Sequence, residues 1–229
     1  MENLQREYLK SIEEGETGEK FRAFYALLSD YNQKVNLTRI VGEEDCKIKH
    51  FLDSLLGERY FPAGARVVEI GSGGGFPSVP LMIVRPDLRF TLIESVGKKC
   101  AFLREAAEKL GLDAKVLNIR AEEGAKDPAL REKFDVCCAR AVARLNTLSE
   151  YCAPFVKTGG RFIAYKGKAD EEISEAKHAF CVLGLSIIDA QKAALPCGEG
   201  ERTIVVAEKI AKTPAAYPRG RGKERSAPL

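Results

Sequence analysis

The stretch that most constrains this chain is Arg66-Val67-Val68-Glu69-Ile70-Gly71-Ser72-Gly73-Gly74-Gly75-Phe76-Pro77. A short apolar run ends in an acid and then in four glycines within five residues. Glycine tolerates positive φ and lets a ligand approach the backbone, so this reads as a turn built around a bound molecule. Pro77 opens the next segment, Ser78–Val84, which reads as a helix because proline suits a first helical position. Strand, glycine loop and helix in that order form the usual opening of a nucleotide-type site in an α/β sheet.

The details narrow the ligand. A dinucleotide fingerprint needs a third glycine where Phe76 stands, and a phosphate loop needs Gly-Lys-Ser/Thr where Gly75-Phe76-Pro77 stands. The form E-x-G-x-G-x-G instead resembles motif I of class I S-adenosylmethionine-dependent methyltransferases. The candidate loop contacts are Gly71, Gly73, Gly75 and Phe76.

From residue 66 the pattern alternates strand and helix, which predicts a mostly parallel sheet covered on both faces. Strands are expected at 66–70, 89–94, 114–118, 134–139, 160–166, 184–191 and 202–209, with helices at 78–85, 97–110, 120–126, 145–154 and 170–182. The expected fold class is therefore a Rossmann-like α/β methyltransferase: a seven-stranded sheet with an antiparallel last strand and an N-terminal helical extension. Leu4, Tyr8 and Ile12 mark one amphipathic helix, and Phe21, Phe24, Tyr25 and Leu28 a second, with a break near Gly15–Gly18. Residues 1–60 are read as a helical cap, 61–210 as the catalytic domain, and 211–229 as a basic, flexible tail.

Composition sets limits on this reading. The chain has 229 residues, a net charge of +3, 45% hydrophobic and 30% charged residues, which suits one soluble α/β domain with an extension. That mild charge does not by itself indicate nucleic acid. No apolar run approaches the ~20 residues of a membrane span, and Met1–Arg6 does not read as a signal peptide. Seven cysteines without a C-x-x-C pair, and only two histidines, argue for buried free thiols in a reducing cytoplasm and against a metal site. Pro196-Cys197 is the one dipeptide reminiscent of covalent methyl transfer, but it falls at the wrong end of the sheet.

Strand ends supply the remaining candidates, because ligands of open α/β sheets bind at the carboxyl ends of strands. Glu94 follows the glycine loop by about 20 residues, in register to accept the ribose hydroxyls of an adenosine. Ala121 and Glu122 begin the turn expected to flank an adenine. Arg140 closes the fourth strand and Lys166 the fifth, which predicts two cations on one rim. Upstream, His50 and Asp53 lie three apart on a predicted helix and share a face. These residues alone leave three functions open: an RNA methyltransferase, a small-molecule or protein methyltransferase, or an RNA-binding protein with a relic cofactor site.

Taken together, Tyr31-Asn32, Val35-Asn36-Leu37-Thr38, His50-Phe51-Leu52-Asp53-Ser54, Gly71 through Leu81, Ser95-Val96-Gly97-Lys98-Lys99, Ala139-Arg140-Ala141 and Lys166-Gly167 resemble the small-subunit (16S) ribosomal RNA guanine-N7 methyltransferases, also called glucose-inhibited division protein B. The resemblance covers nearly the whole chain. It implies S-adenosyl-L-methionine as cofactor, held by Gly71, Phe76, Ala121, Glu122 and Arg140, with Glu94 at the ribose. It also implies that Asn36, His50 and Asp53 border the same cleft, with Arg140 and Lys166 orienting the base. The partner implied is 16S rRNA, the small ribosomal subunit or its assembly intermediate, and the expected enzyme is a cytoplasmic monomer. Ser78 stands where the family usually has glycine, and within the tail Gly220-Arg221 and Lys223-Glu224 differ from the family's usual pattern.

Overall fold

In the computed structural model, which describes residues 2–229, two helices lead: α1 (Glu2–Glu13) and α2 (Gly15–Asn32). The break is a single extended residue, Glu14, and Gly15 at φ +62° opens α2. Next come α3 (Glu43–Cys46), a π-helical stretch Lys47–Leu52 and α4 (Asp53–Leu55), which run on as one rod. The sheet region then proceeds as β1 (Arg66–Ile70), α5 (Ser78–Val84), β2 (Arg89–Glu94), α6 (Gly97–Leu110), β3 (Ala114–Asn118), α7 (Ala121–Gly124), β4 (Phe134–Arg140) and α8 (Leu145–Cys152). It ends with β5 (Val156–Lys166), α9 (Asp170–Glu175), α10 (Lys177–Leu183), β6 (Leu185–Ala194), β7 (Glu201–Lys209) and a terminal turn of helix, α11 (Lys223–Ser226).

The seven strands lie in the order β3-β2-β1-β4-β5-β7-β6, with β7 antiparallel to both neighbours. Strand order reverses between β1 and β4, the crevice where open α/β sheets hold ligands. Successive residues of β1 serve opposite faces: Val67 belongs to the core under α2 and α6, and Val68 to the core under α8 and α10. Double coverage explains why the strands read as near-continuous apolar runs. On the first face Phe21, Phe24, Phe51, Phe76 and Phe102 form one aromatic group, so the N-terminal helices are part of that core.

Several boundaries differ from expectation for local reasons. β5 begins at Val156, four residues early, because Phe134 pairs with Val156 and Val136 with Arg161, which leaves 157–160 as a bulge. Gly159, at φ +81°, permits it. The predicted helix 170–182 is interrupted at Ala176, whose ψ of −4° separates α9 from α10. Pro77 stands at the N-cap of α5, not inside the helix, after a cis Phe76–Pro77 bond. Ser78 is helical and fully buried.

The tail is not the solvated arm that its composition suggested. Arg219 pairs with the fully buried Glu150 of α8, and Arg131 donates to the carbonyls of Thr213, Pro214 and Tyr217. Among the described residues no helix is long and apolar enough to cross a membrane. Cys46, Cys100, Cys137, Cys138 and Cys152 are buried free thiols and Cys181 is exposed; the Cys197 side chain lies outside the described set.

Candidate active site

The glycine loop departs from β1 with Gly71 at φ +69°, its N–H donating to the Ile93 carbonyl of β2 at 2.8 Å. A Cβ at Gly71 would meet Val142 Cγ2 at 2.7 Å, so the loop and the segment after β4 are in contact here. Gly73 and Gly75 are also left-handed, at φ +51° and +84°. Glu94, at the end of β2, accepts the Gly73 N–H at 3.0 Å on one oxygen and the Val96 N–H at 2.8 Å on the other. Each oxygen retains a lone pair, so a carboxylate held by two backbone donors can still accept hydroxyls from a ligand.

Gly71, Glu94, Ala121 and Glu122 line a cavity of about 250 Å³. Ile70, Ile119 and Val142 supply apolar wall, and Glu94 and Glu122 supply carboxylates. Apolar walls with a hydroxyl acceptor at one end suit a nucleoside, as the sequence pattern expects. The same cavity is bounded by Tyr151 of α8 and by Gly222 and Arg225 of the tail, none of which the sequence singled out.

A second cavity, about 340 Å³, opens beside it and contains His50, Asp53, Arg140 and Lys166, with Lys49, Glu172 and Arg202. Arg140 and Ala141 line this cavity and Val142 the first, so the segment after β4 lies between the two. Ala141 sits at φ +56°, a backbone region that favours glycine, at the boundary.

Arg140 organises the second cavity. Its Nη1 donates to the Asp53 carboxylate at 2.5 Å and the Lys49 carbonyl at 3.0 Å, and its Nη2 to His50 Nδ1 at 2.6 Å. Arginine cannot accept, so the His50 proton sits on Nε2 and is donated to Thr38 Oγ1 at 2.7 Å. Phe76 packs beneath both groups, its ring stacked on His50 at 4.2 Å and 5.0 Å from the Arg140 guanidinium carbon. Burial, with the Arg140 charge second, pushes the His50 imidazole down to about 3, which keeps it neutral. Asp53 also accepts Arg202 Nε at 3.0 Å and so bridges two arginines. The π-helical stretch brings Lys49, His50 and, just after it, Asp53 onto the Arg140 side of the rod.

Lys166 is tied down rather than free. It donates to the Ala143 carbonyl at 2.9 Å and pairs with Glu172 at 2.7 Å, while Glu172 also accepts the Leu145 N–H at 2.8 Å. Four cations (Lys49, Arg140, Lys166, Arg202) and two carboxylates (Asp53, Glu172) therefore line the cavity, and Lys49 is paired in addition with Asp45 at 2.9 Å and Glu199 at 3.0 Å just outside that lining. Asn36 is exposed in the loop after α2 and lines neither cavity. Phe76, Gly73 and Gly75 shape the loop without lining the first cavity.

Glu69, the acid of the glycine motif, is fully buried and neither oxygen reaches hydrogen-bond geometry. Burial lifts its carboxyl to about 7 against the opposing effect of the Ser78 and Ser72 hydroxyls and Arg140. Thr38 and Arg202 join the cluster by contacts across 12 and 149 residues, and Arg202 carries no local signal in the sequence.

Comparison with known proteins gives the family and the fold class. The family described as rRNA small subunit methyltransferase G matches residues 17–204. The chain is 43% identical over 217 residues to a protein of Lactobacillus delbrueckii subsp. bulgaricus named ribosomal RNA small subunit methyltransferase G, covering 92% of this chain and 91% of that one. It is 45% identical over 215 residues to a protein of the same name from Brevibacillus brevis, covering 92% and 90%. In fold it is similar to a Burkholderia thailandensis 1,6-didemethyltoxoflavin N1-methyltransferase solved with S-adenosylhomocysteine, at a TM-score of 0.57 and 15% identity over 83% of this chain and 90% of that one.

Proposed function

This chain belongs to the rRNA small subunit methyltransferase G family, and on that premise we propose that it transfers the methyl group of S-adenosyl-L-methionine to N7 of one guanine in small-subunit (16S) rRNA. The observation that carries this reading is the pairing of two cavities across one strained segment, Arg140-Ala141-Val142. One suits a nucleoside and the other is lined by Lys49, Arg140, Lys166 and Arg202, held by ion pairs from several elements.

Gly71, Glu94, Ala121 and Glu122 are the residues that would hold the cofactor, with Glu94 at its ribose. When bound, the cofactor supplies an electrophilic methyl on a sulfonium: the N7–CH3 bond forms from the guanine lone pair in line with the breaking S–CH3 bond, whose electrons stay on sulfur. Guanine N7 carries no proton, so no side chain has to remove one and no covalent enzyme intermediate is needed. His50, held neutral, and Asp53 fix the Arg140 guanidinium in place instead of acting as acid or base. Arg140, Lys166 and Arg202 present positive charge to the base or to neighbouring phosphates. Their contribution is orientation and exclusion of water, worth up to roughly 7–11 kcal/mol for well-placed reactants. Asn36, exposed at the loop tip, would meet RNA outside the cavity.

The test is transfer of labelled methyl from S-adenosylmethionine to small subunits lacking the modification, followed by mapping of the base. Label at N7 of a single guanine is expected. Label on another atom, or on small molecules only, overturns the substrate assignment while leaving the family intact. The same reading takes the enzyme to be a cytoplasmic monomer, for which sedimentation at working concentration should give the mass of one chain.

A further inference from the structure

We propose that the C-terminal segment from Tyr217 onward is the closing wall of the cofactor cavity, and that Arg225 is a binding residue for the nucleoside end of S-adenosylmethionine. This rests on assigning the smaller cavity to that cofactor, and it adds residues that the glycine motif and its partners leave out. Gly222 and Arg225 line that cavity together with Glu94, Ala121 and Glu122. Gly222, at φ +76°, turns the chain there, and a Cβ at that position would meet nothing within 4 Å.

The segment is held in place by α8. Arg219 forms a two-pronged pair with Glu150, through Nε at 3.0 Å and Nη2 at 2.7 Å, and its own N–H adds a third bond at 2.8 Å. Thr147 Oγ1 donates to the Glu224 carbonyl at 2.7 Å, and the fully buried Glu224 side chain accepts the Gly220 N–H. Tyr151, one residue past Glu150, lines the cavity itself, so the helix that anchors the tail is also a wall of the site. Those buried contacts fix the backbone on either side of Arg225, so only its exposed side chain has to be ordered at binding.

The chemistry fits the position. Glu94 and Glu122 put two carboxylates on this cavity, and Arg225 joins Arg120 in balancing them. A planar guanidinium can lie against a purine face or donate to its ring nitrogens, contacts that a ligand without the base would not make.

The experiment is calorimetric titration of S-adenosylhomocysteine and of adenosine into the full chain and into Arg225→Ala and Arg225→Lys, with thermal midpoints and methylation kinetics alongside. The Arg225→Ala protein should bind both ligands about 3- to 10-fold more weakly, as loss of one exposed cation–π or donor contact implies. The cofactor KM should rise by the same factor with kcat at saturating cofactor and the thermal midpoint unmoved, and Arg225→Lys should recover part of the loss. Unchanged binding by Arg225→Ala overturns the inference, as does a loss that appears only with a fallen thermal midpoint. If the unsubstituted chain binds neither ligand, the cavity assignment falls first and the inference with it. The calorimetric and thermal readouts involve no RNA, so their outcome is separate from the choice of guanine.

Discussion

Arg140 uses its guanidinium inward. Both terminal nitrogens are bonded to Asp53, His50 and the Lys49 carbonyl, and its plane lies over Phe76. Removing it leaves Asp53 buried with only Arg202, so Arg140→Ala should lose most methyl transfer and about 2–3 kcal/mol of stability, within the range for a charged hydrogen bond broken from one side. Arg140→Lys should restore little, since an ammonium cannot fork to a carboxylate and an imidazole at once. Full transfer by a folded Arg140→Ala protein would remove this residue from the mechanism. Proton linkage supplies a second check. His50 falls from 6.5 to about 3 on folding, so the unfolded chain binds its proton first and stability is lost as pH drops from 6.5 toward 3, with a slope approaching about 1.4 kcal/mol per pH unit. Glu69 rises from 4.5 to about 7, so the folded chain binds its proton first and stability is lost as pH rises from 4.5 to 7. The two slopes oppose each other near pH 5–6. Urea unfolding of His50→Gln and Glu69→Gln across pH 4.5–7.5 should therefore separate them: the first variant loses the acid-side decline and the second loses the decline toward neutrality. Parallel curves for all three proteins would contradict both assignments.

At the scale of elements, the strand–glycine loop–helix unit was legible because each of its signals is local: an apolar run, an acid, glycines at fixed spacing, a proline. The bulge in β5 and the break at Ala176 were not, since both are set by pairing with β4 and by packing on α8, which no short window contains. The same division runs through the site. Gly71, Glu94 and Arg140 stand at strand ends and could be read from the pattern, whereas Thr38, Arg202, Tyr151 and Arg225 reach it only through tertiary packing. The π-helical turn at Lys47–Leu52 is a further case, since spacing alone predicted an ordinary helix there. The glycine loop yields a prediction of its own. Gly71→Ala forces an alanine to φ +69° and drives its Cβ against Val142, and should lower stability by about 1–3 kcal/mol and weaken S-adenosylhomocysteine binding. Adding Val142→Ala removes the collision but not the backbone strain, so the double variant should recover only part of the loss in a thermal melt. Complete recovery would mean that the left-handed turn is not what the position requires.

Across the whole molecule, the two ends of the chain are built into the sheet's two faces. The N-terminal helices complete the aromatic core that carries Phe76, and through it the floor under His50 and Arg140. The last residues complete the opposite face, where Tyr217 and Leu229 pack against the core under α8. Composition suggested the reverse for the tail because glycine, proline and the four basic residues of 217–229 usually mark solvated chain. What the composition could not display is Glu150, an acid buried in α8 some 69 residues away, whose oxygens are met by Arg219. A buried carboxylate deprived of its cation is among the most costly single defects a fold can carry, on the order of 3–5 kcal/mol. Arg219→Met, which keeps the apolar stem and removes the charge, should therefore lower the unfolding free energy by about that amount, while the double variant Arg219→Met with Glu150→Leu should regain much of it because the stranded charge is gone as well. Were Arg219→Met as stable as the parent in urea, the tail would be resting on the domain and not holding to it.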